Sequence, residues 1–86
     1  MPRISYFFGI SIYMFHNEHQ PPHFHAFYGE YGALINIQTL EVIDGGLTTR
    51  ALRLVREWAE LHRDELMQDW ELARNKQALM KIESLE

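Results

Sequence analysis

The chain has 86 residues, 47% of them hydrophobic and 23% charged, with eight Lys and Arg against twelve Asp and Glu and a net charge of −4. A chain this short builds one core, so residues 1–86 are read as a single domain, and its apolar content excludes intrinsic disorder. Without cysteine it has no disulfide, thiolate metal site or cysteine nucleophile; without a long apolar run or signal peptide a cytoplasmic location is expected.

Nine of the eleven aromatic residues fall in the first 31 positions, and that half reads as β-structure. Ile4–Phe8 and Ile10–Phe15 flank Gly9, predicting one bent strand or two short ones. The polar stretch His16–Pro22 ends in Pro21-Pro22 and predicts a loop, since proline cannot donate to a strand ladder. His23–Tyr28 predicts the next strand, followed by a turn at Gly29–Gly32. The alternating runs Ala33–Ile37 and Leu40–Ile43 then predict two more strands, closed by an exit turn at Asp44-Gly45-Gly46.

Thr48 or Thr49 predicts an N-cap, after which Ala51, Val55, Trp58, His62, Leu66, Trp70 and Ala73 recur at helical spacing. That period predicts one long helix to about Arg74, with Asp69 among the residues of its polar face and Asn75 as the left-handed residue that ends it. Leu79, Ile82 and Leu85 are expected to form an extended tail over an open sheet edge. One amphipathic helix needs a second layer, so the expected fold is α+β: two layers, an antiparallel sheet of four to five strands packed by one long helix. A core this small is compatible with a homodimer or a partner.

Four of the five histidines, with Glu18, lie between residues 16 and 25. On a strand, His23 and His25 share a face, which is the spacing that offers two imidazoles to one ion; His19 or Glu18 across the Pro-Pro bend would complete a site for zinc, nickel or manganese. Without metal, His23 and His25 have the titration range of a general acid and base, with His19 assisting and Glu30 as a further carboxylate. The same histidines would also serve to cap backbone groups or stack on Phe15, Phe24, Phe27 and Tyr28, and Glu30 to make a turn. His62 reads as a hydrogen-bonded histidine on the apolar helix face, or as a distant member of the site if the helix packs over it. Arg50 and Arg53 are the candidates to hold a phosphate.

The acidic balance argues against stand-alone nucleic-acid binding, because such affinity comes from counterion release by Lys and Arg. Contact with nucleic acid is therefore expected through a complex, and none with membrane. No glycine-rich nucleotide-binding motif or nucleophile elbow is present.

The opening Pro-Arg-Ile-Ser-Tyr-Phe-Phe-Gly-Ile-Ser-Ile-Tyr-Met-Phe, the run Asn17-Glu18-His19-Gln20-Pro21-Pro22-His23-Phe24-His25-Ala26, then Tyr28-Gly29-Glu30-Tyr31 and the helix from Arg50-Ala51-Leu52 to His62-Arg63 resemble the small bacterial domain-of-unknown-function family 4160. The resemblance implies a small protein whose gene neighbours that of another small domain, in an arrangement similar to toxin and antitoxin pairs. It implies a nearby-encoded protein partner, no established activity, and His19, His23, His25, Glu30 and His62 at the family's polar positions. Glu18 stands where Asp is commoner, which keeps the carboxylate and lengthens its reach. Two functions follow as expectations: a partner-binding half of a two-protein module, or a small histidine- or metal-dependent hydrolase acting on RNA.

Overall fold

The computed structural model describes residues 3–16 and 18–85; Met1, Pro2, Glu86 and Asn17 of the histidine-rich run lie outside the described residues. Five antiparallel strands lie in chain order across one sheet: β1 (Arg3–Phe7), β2 (Ile10–Tyr13), β3 (His23–Tyr28), β4 (Tyr31–Asn36) and β5 (Val42–Gly46). The sheet is a meander because every connection is short. Phe8 and Gly9, at φ 50° and 80°, make the two-residue turn that separates β1 from β2 and pairs Phe7 with Ile10.

The fifth strand corrects the sequence reading. Asp44-Gly45-Gly46 does not exit the sheet but forms most of β5, with Gly46, Gly45 and Asp44 opposite Gly32, Ala33 and Leu34. The chain passes so close there that a Cβ on Gly45 would fall 2.2 Å from the Gly32 carbonyl oxygen, and its φ of +75° is one that glycine alone adopts at little cost. Of the two glycines that read as a terminator, Gly45 is the one that lets β5 approach β4 this closely; Gly46 has open space around it.

The helical layer is also divided: α1 (Thr49–Leu61) and α2 (Arg63–Arg74) replace the single helix expected. Thr48 caps α1, its Oγ1 accepting from the Ala51 amide at 3.2 Å. The break falls at His62, with φ −122° and ψ 25°. The His62 amide donates to Ala59 in a tight three-residue step, and its Nδ1 donates to Glu65 Oε1 at 2.5 Å. Asp64 and Glu65 then occupy the first turn of α2, where carboxylates suit the exposed amides. Neither Pro nor Gly marks the break, and so the apolar period ran through it unseen.

The restart buries Asp69, assigned by periodicity to the polar face: it is 1% exposed, and its Oδ1 accepts from the Met80 amide at 2.9 Å. Asn75 is the cap rather than the left-handed residue. Lys76, at φ 57°, takes that role, with Gln77 N–H to Leu72 and Lys76 N–H to Ala73 closing a Schellman motif.

Phe7, Ile10, Ile12, Phe24, Ala26 and Ile35 point from the sheet into one core with Ala51, Val55, Trp58 and Leu66. Trp58 anchors it, 5.3 Å from the Phe7 ring and 5.8 Å from Phe24, with its Nε1–H donating to the Glu83 carbonyl; truncating such a residue costs about 3–5 kcal/mol. The tail runs as expected along β1, where Ile82 N–H donates to the Ile4 carbonyl at 2.7 Å. Among the described residues no helix is long and apolar enough to cross a membrane.

Candidate metal centre

Alternation along β3 puts His23, His25 and Phe27 on one face of the sheet, and Phe24 and Ala26 on the other, in the core. The loop after β2 then folds back through Pro21-Pro22, pinned where the Pro22 carbonyl accepts from Ile37 N–H at 3.0 Å. This return lays Glu18 across the two imidazoles. One ligand atom each from Glu18, His23 and His25 lie within 4.8 Å of one another, an arrangement that could hold a metal ion.

His25 Nε2–H donates to Glu18 Oε1 at 2.5 Å. His23 differs. Its Nδ1–H donates to the Pro21 carbonyl at 2.8 Å, so in the neutral ring Nε2 is the acceptor nitrogen. That Nε2 is buried, has no hydrogen-bond partner among the described residues, and points at the same Glu18 oxygen 3.5 Å away. Two acceptors thus face each other on a residue only 5% exposed. A shared cation, whether proton or metal, resolves that opposition.

The rings are held on their other sides by aromatics. Phe15 meets His25 edge-on at 4.7 Å, and Trp70 of α2 lies 5.2 Å from His23. The two histidines are 5.5 Å apart. Orientation is therefore largely set before any ligand arrives. Burial raises the Glu18 carboxyl, but the hydrogen bond and charge of His25, with a smaller contribution from His23, hold it below its ordinary 4.5. The carboxylate stays ionised.

Of the two residues offered as the third ligand, Glu18 is in the group; His19 is exposed on the same loop and outside it. Glu30 is exposed in the turn between Tyr28 and Tyr31, beyond the end of β3 opposite to His23, and outside the group. His62 is in the helix break, bonded to Glu65 and 5.6 Å from Trp58. Arg50 and Arg53 are exposed on α1, which packs on the opposite face of the sheet. Sequence reasoning missed the Pro21 carbonyl and Trp70. The first is a backbone atom, which no side-chain pattern reveals; the second carries the helical period of a core residue. Phe27 was legible, since the alternation that pairs His23 with His25 continues to it.

A family model described as Domain of unknown function (DUF4160) matches residues 9–71, which include the whole histidine-rich run. No curated protein matches the chain, and no solved structure does.

Proposed function

The chain belongs to the domain-of-unknown-function family 4160, and we propose that it holds zinc, nickel or manganese through Glu18, His23 and His25 and uses the ion to hydrolyse phosphodiesters of RNA. The observation that carries this reading is the unpartnered, buried His23 Nε2 aimed at Glu18. Two neutral imidazoles and one carboxylate suit a borderline divalent ion, and three protein ligands leave positions for water and substrate. An ion held there would lower the pKa of a bound water to about 7. In the reaction the water oxygen bonds to phosphorus, the bond to the leaving sugar oxygen breaks with its electron pair, and that oxygen takes up a proton. His19, exposed beside the ligand group, is the residue of this chain suited to carry that proton.

Elemental mass spectrometry of the untagged protein tests the reading. One equivalent of metal, lost in the His23→Ala/His25→Ala double variant while helical circular dichroism persists, is the expected result. A protein that takes up no zinc, nickel or manganese even after incubation with each would overturn it.

A second reading, a partner-binding half of a two-protein module, is favoured by Leu61. It is 69% exposed at the end of α1, in a groove with Arg53, Arg56, Glu57 and Glu60. An apolar anchor ringed by charges suits a small protein encoded nearby or a second copy of the chain, and the two readings agree if the partner restrains the hydrolase. Co-purification with the neighbouring gene product, abolished by Leu61→Glu, is the expected outcome; independent elution of the two proteins would refute it.

A further inference from the structure

The sheet face opposite the buried Phe24 and Ala26 carries an aromatic row that ends at the candidate metal centre. Phe27 stacks on His25 at 6.2 Å with planes 14° apart. Tyr13 meets Phe27 edge-on at 5.6 Å and stacks on Phe15 at 5.8 Å, and Phe15 in turn touches His25. Ser11 stands opposite both Tyr6 and Phe27, so Tyr6 continues the row to β1. Phe27 lies over Gly32, where any Cβ would meet its ring at 3.0 Å, so the backbone beneath is kept bare for it. Phe27 is 40% exposed and Tyr6 52%, while Tyr13 and Phe15 are half-buried.

Of the twelve acids that give the protein its negative balance, β1, β2 and β3 contain none; Glu18 at the candidate centre and Asp44 of β5, opposite Leu34 and so in line with His25, stand on this face. The Arg3 guanidinium lies 4.9 Å over the Tyr6 ring at one end. At the other end a divalent ion held by Glu18 and the two histidines would leave a net positive charge. Flat rings between two positive points complement a chain of bases joined by phosphates, because stacking tolerates any base and the charges meet the backbone.

We propose that the Tyr6–Tyr13–Phe27 face is a stacking platform for unpaired bases of a single-stranded polynucleotide, which it delivers to the ion at Glu18, His23 and His25. The proposal rests on the metal reading for the delivery, and on the aromatic row alone for the binding.

The test is fluorescence anisotropy with a labelled oligoadenylate and an abasic sugar-phosphate oligomer of equal length, on protein loaded with zinc and on chelated protein, with metal content measured on each sample. Loaded protein is expected to bind the oligoadenylate roughly tenfold more tightly than the abasic oligomer, and Phe27→Ala or Tyr13→Ala to weaken oligoadenylate binding about tenfold with metal content unchanged. The abasic comparison uses unmodified protein and does not depend on how a variant folds. Equal affinity for the two oligomers, or Phe27→Ala binding as well as wild type, would overturn the platform even with one equivalent of zinc in place. Base-dependent binding by protein that takes up no metal would uphold the platform and overturn the metal reading. Retention of a small protein on this face, displaced by Phe27→Ala, with no oligonucleotide bound would also overturn it.

Discussion

Nε2 of His23 stands 3.5 Å from Oε1 of Glu18 and makes no hydrogen bond among the described residues, while the other ring nitrogen donates to the Pro21 carbonyl. The ring cannot turn to relieve this without losing that bond and its packing against Trp70. A ligand that bridges the two atoms therefore stabilises the fold as well as occupying a site.

Thermal unfolding should read that stabilisation directly. Metal at about a hundred times its Kd adds about 2.7 kcal/mol, and a domain of this size gains about 4–8 °C in Tm per kcal/mol. A rise of roughly 10–20 °C is expected with the cognate ion, and little or none in Glu18→Gln or His25→Ala. Differential scanning calorimetry with and without chelator makes the measurement; equal shifts in wild type and variants would assign the ion elsewhere.

Two carboxylates should tilt the pH dependence of stability in opposite directions. Glu18 titrates below its ordinary 4.5 in the fold, so the stability it contributes is present above that value and is lost as pH falls through the lowered one. Asp69 is pushed above its ordinary 3.8 by burial, against the pull of the Met80 amide and with a further rise from Glu65. Its stabilisation is full below 3.8 and declines as pH rises through the elevated value. In metal-free protein, Asp69→Asn should gain stability more steeply with rising pH than wild type, and Glu18→Gln less steeply. Urea midpoints across the acid range compare the three proteins, and parallel profiles would refute the assignment.

Glycine substitutions should separate close approach from conformation. Gly45→Ala places a Cβ against the Gly32 carbonyl in addition to straining a positive φ, and a loss of about 3 kcal/mol or more is expected. Gly29 has φ +57° but open space around its missing side chain, so Gly29→Ala should cost only about 1–2 kcal/mol. Chemical denaturation of both variants checks the order.

Lys76 offers the converse. It holds the left-handed position of the Schellman motif at φ 57° with a side chain that disfavours it. Lys76→Gly should raise stability by about 0.5–1 kcal/mol, read as a higher denaturation midpoint.

The elements that were legible in the sequence are those whose signal is local. His23–Tyr28 reads as a strand with two histidines on one face because alternation is a property of neighbouring residues, and Thr48 as a cap because the hydroxyl acts within one turn. What escaped depended on distant groups. Gly45 read as an exit because its partner, the Gly32 carbonyl, is thirteen residues back. Asp69 read as solvated because the amide that draws it inward belongs to Met80, beyond the helix. The break at His62 rests on a histidine bonding to Glu65, a pairing that an unbroken helix would also permit. In the candidate site, two of three members follow from the strand period, while the choice of Glu18 over His19 is made by the path of a proline-bent loop.

The bond between Ile82 and Ile4 ties one of the last described segments to the first strand. As the chain leaves the ribosome, β1 can pair with β2 at once, but its outer row of amides and carbonyls waits until residue 82 has emerged. For that interval the nascent sheet offers a free edge to any neighbouring extended chain. Loss of residues 79–85 would leave that margin unguarded and take from the core the Glu83 carbonyl that receives the Trp58 Nε1–H and the Met80 amide that bonds Asp69.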